Sequence, residues 1–140
     1  MAIQVVGRVI NGTSGYDNFV GNELSDRYQM TVNYGVTDMV DGGKGTDTLS
    51  YVNADRGVKV TMGSGTQLGE TKADFVFSFL NPVTEQYFQS VATKTVTQFK
   101  GIENVTGSSF ADTITGNSAD NRIDAGAGVQ CTLKRHQCGR

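Results

Sequence analysis

Residues 42–50 read Gly-Gly-Lys-Gly-Thr-Asp-Thr-Leu-Ser, with glycine at the first, second and fourth positions. Glycine reaches positive φ angles without a Cβ penalty, so this turn can curl its carbonyl oxygens around a small hard cation. Asp47 adds a carboxylate at the sixth position. Leu49 follows two residues later, and side chains alternate along a strand, so Leu49 is predicted to face inward. The stretch therefore predicts one glycine-rich turn followed by one short strand.

The nine-residue spacing of this stretch recurs along the chain. Nine residues before Asp47 and Leu49 lie Asp38 and Val40, which repeat the same pair. One nonapeptide makes one turn and one strand, so two complete a coil of a parallel roll. An amphipathic helix would instead need apolar residues three and four apart. Further copies of the acidic or amide position and the apolar position lie at Asp17 and Phe19, Asp26 and Tyr28, Glu103 and Val105, Asp112 and Ile114, and Asn121 and Ile123.

An insert separates the two groups of repeats. Residues 57–62 alternate apolar and polar side chains, which predicts a half-buried strand. Residues 63–98 then break the repeat. Phe75, Phe77 and Phe79 alternate on one face of a predicted strand, and we interpret this face as core rather than as a surface that stacks on sugars. Residues 95–97 return to a strand pattern.

A short helix is predicted inside this insert. Asn81 is a favourable N-cap and Pro82 a favourable first helical residue. Val83, Tyr87 and Val91 then fall on one helical stripe. The predicted fold class is mostly all-β, a right-handed parallel β-roll or β-helix whose insert contains one short helix.

Length and charge limit the classes of protein to consider. The 140 residues, 15.0 kDa, suit one domain, and 18 glycines against 1 proline indicate many turns. Residues 1–129 carry nine basic against fourteen acidic side chains, which argues against nucleic acid as a partner. The N-terminal residues do not resemble a signal peptide, and no apolar run is long enough to span a membrane.

The last eleven residues differ in composition from the rest. They hold three of the basic residues, no acidic residue, both cysteines and the only histidine. Cys131, His136 and Cys138 make three metal-binding groups, whereas zinc takes four and usually in tighter pairs. We therefore interpret residues 130–140 as a basic irregular tail following one domain over residues 1–129.

Three segments carry a resemblance to a known family: residues 47–54, residues 57–62 and residues 101–117. They resemble the haemolysin-type calcium-binding (RTX) region of bacterial secreted proteins, in particular the roll modules of serralysin-type proteases and mannuronan epimerases. The likeness covers about residues 10–62 and 95–129. It implies a right-handed parallel β-roll, calcium between stacked turns, type I export and an extracellular location. It implies no catalysis, because chemistry in that family lies in a separate domain.

A calcium ion takes six to eight oxygens, and the resemblance implies that two turns one coil apart supply them. Eighteen residues before and after Asp47 lie Gln29 and Gly65, neither of which is a carboxylate. We therefore expect Asp47 to lack a regular partner turn, and calcium sites to be few. The candidate metal ligands are Gly42, Gly43, Gly45 and Asp47, with Asp38 and Asp41 as helpers and Asp112 as a weaker second site.

The predicted function is that of a non-enzymatic calcium-binding module with a structural and folding role. Paired carboxylates can catalyse sugar chemistry, but metal ligation and turn chemistry already explain the spacing of Asp38, Asp41 and Asp47. One alternative is a carbohydrate-binding or adhesion module that uses the aromatic insert. Another is a ligand-free remnant of a larger RTX protein. A roll with open ends exposes unpaired backbone groups, so we also predict a homo-oligomer.

Overall fold

A computed structural model of the chain describes residues 8–63, 67–124, 131–132 and 138–139, the last two pairs by their backbone alone. In these residues the secondary structure is β-strand, with no helix. The strands are β1 (Val9–Asn11), β2 (Asn18–Val20), β3 (Arg27–Gln29), β4 (Asp38–Asp41), β5 (Thr48–Ser50), β6 (Lys59–Thr61), β7 (Gly69–Leu80), β8 (Tyr87–Lys100), β9 (Asn104–Thr106), β10 (Thr113–Thr115), β11 (Arg122–Asp124), β12 (Cys131–Thr132) and β13 (Cys138–Gly139).

The short strands are shared between two sheets. One sheet has the order β1-β3-β5-β9-β11-β13 and the other β12-β10-β6-β7-β8-β4-β2. Neighbouring strands are parallel except where β7 pairs with β6 and β8. This all-β arrangement agrees with the predicted fold class. The segment expected to be an irregular tail contributes β12 and β13 to the two sheets.

The core lies between the inward faces of the sheets. The predicted inward position of the nonapeptide, Leu49, is fully buried, and Tyr28 and Val105 pair with it from the neighbouring strands. Burying a side chain of this size stabilises the fold by about 1.5–3 kcal/mol. The predicted inward residues Val40, Val58, Val60, Met62, Ile114 and Ile123 are likewise buried.

The coil from β3 to β5 is longer than the coil from β1 to β3. Arg8 and Asp26 stand 18 residues apart in register, whereas Asp26 and Asp47 stand 21 apart. The additional residues lie between β3 and β4, where Met30 and Val32 continue the alternating pattern of β3 and are buried. The longer coil is therefore held by extra core contacts.

The insert forms a hairpin of β7 and β8. The prediction of a short helix in this insert is therefore wrong. Asn81 does act as an N-cap, since its side-chain oxygen accepts hydrogen bonds from the backbone amides of Val83 and Thr84. The chain then turns back, because Glu85 takes a positive φ of 56° and the Asn81 amide donates to the Gln86 carbonyl. A helix here would have no core to pack against, as Val83 is 88% exposed.

The aromatic face of β7 is buried only near its base. Phe75 is in the core, Phe77 is half-buried against it, and Phe79 is 47% exposed. The core interpretation therefore holds for the base of the hairpin but not for its tip. No helix in the described part of the chain is long and apolar enough to cross a membrane.

Candidate metal centre

Polar side chains form a row at one edge of the six-stranded sheet, each directly before the start of a strand. The Arg8 amide donates to Asp26 Oδ1 (2.9 Å), the Asp26 amide to Asp47 Oδ1 (2.7 Å), and the Asp47 amide to Glu103 Oε1 (2.9 Å). Asn121 extends the row, as its Nδ2 donates to the Glu103 carbonyl (3.1 Å). We call these five residues the acidic edge. Its regular spacing follows from the parallel register of β1, β3, β5, β9 and β11.

The expectation that Asp47 lacks a partner turn is wrong. Its partner in the preceding coil is Asp26, 21 residues earlier, because the β3–β4 connection is longer than a nonapeptide requires. Its partner in the following coil is Glu103, 56 residues later, because the β7–β8 hairpin interrupts the chain. Counting eighteen residues from Asp47 in either direction therefore does not reach its neighbours in the adjacent coils.

The glycines of the turn meet two different requirements. Gly43 (φ 77°) and Gly45 (φ 93°) adopt the left-handed conformation predicted for them. Gly42 is not among the glycines with positive φ. It is needed for space, because a Cβ at Gly42 would collide with the Gly101 carbonyl and lie 2.8 Å from Asp47 Oδ2. Successive turns thus approach each other closely beside the Asp47 carboxylate.

One oxygen of Asp47 has no hydrogen-bond partner. The residue is fully buried, Oδ1 accepts the Asp26 amide, and Oδ2 accepts nothing. Among the described residues, only the Tyr28 hydroxyl is in the same state. Burial raises the pKa of Asp47 to about 6, opposed by the Asp26 amide and assisted by the negative charge of Glu103. A buried carboxylate without a partner is unfavourable, so this site favours a cation.

Other turns of the same type are closed by their own hydrogen bonds. In the turn before β10, the Ser108 amide donates to Asp112 Oδ2 (2.8 Å) and its hydroxyl to Oδ1 (2.6 Å). In the turn before β2, Thr13 makes the equivalent pair of bonds to Asp17 (2.7 and 2.8 Å). Both carboxylate oxygens are therefore already satisfied. These carboxylates need no metal ion to satisfy them.

The nonapeptide turn differs at the position four residues before the aspartate. That position is Gly43, whose amide donates to Asp41 Oδ1 (3.0 Å) and not to Asp47. Gly43 also has no hydroxyl to offer. In the turn before β11 the corresponding amide, that of Asn117, does donate to Asn121 (2.9 Å). We call a turn self-closed when the residue four positions before its acidic or amide residue donates a hydrogen bond to that side chain. The Gly42–Asp47 turn is not self-closed, and one oxygen of Asp47 stays free.

The structure brings together some of the predicted ligands and not others. Asp41 ends β4 directly before the glycine turn and pairs with Lys100 at 3.6 Å. Asp38 begins the same strand at the opposite edge, where its Oδ1 accepts the Asp17 amide (2.8 Å). Burial raises the pKa of Asp38. Asp112 also lies at the opposite edge, where the Val58 amide donates to its Oδ1 (2.9 Å).

The cysteines and the histidine of the C-terminal segment are interpreted above as part of an irregular tail and not as a zinc site. His136 and the side chains of Cys131 and Cys138 lie outside the described residues. Within the described ranges, no three His, Cys, Asp or Glu side chains are grouped to hold a metal ion. An ion at Asp47 would therefore draw on backbone carbonyl oxygens, which calcium accepts readily.

The C-terminal repeats match a known family. Residues 99–129 match the RTX calcium-binding nonapeptide repeat, in four copies. This segment is similar to an RTX repeat region. The RTX segment contains β9, β10 and β11 and therefore supplies Glu103 and Asn121 to the acidic edge. RTX repeats bind calcium in general. The chain matches no curated protein and no solved structure.

Sequence reasoning missed three residues of this site. Asp26 and Glu103 were recognised as repeat positions but not as neighbours of Asp47, and Arg8 was not recognised at all. The signal for Asp26 was present, since Tyr28, Met30 and Val32 extend the alternation past the end of a nonapeptide strand. No comparable local signal marks Glu103, because a hairpin separates it from Asp47.

Proposed function

We propose that this chain is a non-enzymatic calcium-binding module with a structural and folding role, and that it binds an ion at the Gly42–Asp47 turn. The observation that carries the proposal is Asp47 Oδ2, a buried carboxylate oxygen without a partner among close-packed glycine turns. The RTX match of residues 99–129 supports the choice of calcium.

The proposed ligands are the Asp47 carboxylate and carbonyl oxygens of the turn formed by Gly42, Gly43 and Gly45, with Asp41 nearby. The bound ion supplies positive charge to the acidic edge, where Asp26, Asp47 and Glu103 carry three negative charges and Arg8 one positive charge. Asp38 and Asp112 belong to the opposite edge. Because both oxygens of Asp112 are satisfied, we propose that any site there is weaker.

The parent context of the module is also a proposal. The RTX repeats support a role in a secreted bacterial protein, located outside the cell. In that role the ion would hold successive turns together and add to the stability of the fold. The acidic residues then serve structure rather than catalysis.

A calcium titration of chelator-treated protein tests this proposal. We expect calcium, but not magnesium, to raise the melting temperature or change the circular dichroism spectrum. Asp47→Ala is expected to abolish this response, because it removes the free carboxylate oxygen. The matched control is Asp17→Asn, which changes a turn already closed by Thr13 and should keep the response. A protein that folds and is indifferent to calcium would contradict the proposal.

A second candidate function is carbohydrate binding or adhesion through the hairpin tip. Phe79 and Phe88 stack with their ring centroids 5.4 Å apart. Both are about half exposed, and Tyr87 beside them is 75% exposed. Exposed aromatic rings that need no metal ion support this candidate, which would work independently of the calcium site.

A further inference from the structure

Arg8 occupies the position in the acidic edge that an aspartate occupies in the next coils. β1 pairs in parallel with β3, with Val9 opposite Arg27, so Arg8 stands opposite Asp26. Its amide donates to Asp26 Oδ1 just as the Asp26 amide donates to Asp47 Oδ1. The two carboxylates therefore share this backbone contact, and Asp26 receives a further backbone hydrogen bond from Asn22.

The side chain of Arg8 supplies what Asp47 lacks. Nη2 lies 3.0 Å from Asp26 Oδ2 and Nε 3.3 Å from Oδ1, so the guanidinium contacts both oxygens. The Asp26 side chain is fully buried. Hydrogen bonds from Arg8 hold the pKa of Asp26 below its ordinary value. At Asp47, the equivalent Oδ2 is equally buried but faces no cation.

We infer that the Arg8 guanidinium takes the place of a calcium ion at Asp26 and so excludes a second ion from this end of the acidic edge. The inference rests on the proposed calcium site at Asp47. Arginine suits this substitution because its planar fork stays charged and matches a carboxylate in two contacts. With Arg8 present, one divalent ion neutralises the remaining charge of the acidic edge.

Counting bound ions in Arg8→Gln by native mass spectrometry in calcium tests the inference. We expect this variant to hold one more calcium ion per chain than the unsubstituted protein, because Asp26 loses its cation. The matched control is Arg27→Gln, which removes a neighbouring arginine that contacts Ser50 and not Asp26. The control should hold the same number of ions as the unsubstituted protein.

A charge-conserving variant, Arg8→Lys, separates the role of the charge from the loss of the side chain. It is expected to keep the ion count of the unsubstituted protein. An unchanged count in a folded Arg8→Gln variant would overturn the inference, and so would a variant that fails to fold even in calcium. If the unsubstituted protein binds no ion while Arg8→Gln binds one, the Asp47 proposal fails and the role of Arg8 stands.

Discussion

At the scale of single residues, two kinds of turn differ in whether both oxygens of the aspartate accept a hydrogen bond. Ser108 and Thr13 each place an amide and a hydroxyl against the aspartate four residues later. Gly43 places neither against Asp47, whose second oxygen remains free. A buried charge left in this state costs stability until a proton or a cation compensates it.

The titration of Asp47 gives a prediction for the calcium-free protein. Its folded pKa of about 6 lies above the ordinary 3.8, so the native state holds the proton more tightly than the unfolded chain. The resulting stabilisation is complete below about pH 4 and is lost as the pH rises through about 6. One pKa unit corresponds to about 1.4 kcal/mol.

Urea unfolding of chelator-treated protein between pH 4 and 7 measures this effect, with Asp47→Asn as the reference that cannot titrate. The free energy of unfolding of the unsubstituted protein, minus that of the variant, should fall by on the order of 2 kcal/mol over this range. The subtraction removes the opposite contributions of Asp26, Asp55 and Asp74, whose pKa values are lowered. A difference that stays flat with pH would contradict the prediction.

At the scale of elements, the β7–β8 hairpin is anchored to the body at its base. Gly69 packs its backbone on the Phe99 ring, and the buried Tyr51 hydroxyl bonds to both Thr71 and Thr97 (2.8 and 2.9 Å). Among the strands that the structure describes, β7 and β8 pair only with each other beyond the base. Two-stranded ribbons are marginally stable in water, so the tip gains most from a partner that covers its aromatic rings.

The carbohydrate candidate is tested on this hairpin by a glycan-array screen in the presence of chelator. Binding that survives chelation is expected to weaken about tenfold, or ~1.4 kcal/mol, in Tyr87→Ala. Tyr16→Ala is the matched control, because Tyr16 is similarly exposed but lies on a turn of the body. The absence of any calcium-independent glycan ligand would remove this candidate.

At the scale of the whole molecule, the apolar core and the self-closed turns supply stability that needs no metal. Calcium is therefore expected to add to an existing fold, unlike in long arrays that rest on many ions. Within the described residues, β1 and β2 each have a strand on one side only. Ile10 and Phe19, the inward residues of these strands, are only partly buried. An open end of this kind favours pairing with a second chain.

Sedimentation velocity over a range of protein concentrations tests the predicted self-association. Ile10→Lys should shift the protein toward monomer, because it places a charge on the inward face of the end strand. The control is Val9→Lys on the neighbouring outward position, where the side chain is 60% exposed, and it should associate like the unsubstituted protein. A protein that is monomeric at every concentration would contradict the prediction.

The sequence alone determined the repeat, the strand alternation and the glycine turn. These features depend on a few consecutive residues, since side-chain alternation and positive φ are local properties. Leu49, Val105 and Ile123 could accordingly be assigned to the core from their spacing, and Asp47 could be singled out as a candidate ligand. The family of residues 99–129 was also visible in the sequence.

Only the tertiary structure decided which turns meet. The coil of 21 residues brings Asp26 to Asp47, and the hairpin brings Glu103 to its other side. The role of Arg8 likewise depends on the pairing of β1 with β3. The predicted helix failed for the same physical reason: local capping at Asn81 is real, but a helix also needs a core to pack against. These features depend on contacts between segments far apart in the sequence, and the spacing of nearby residues does not encode such contacts.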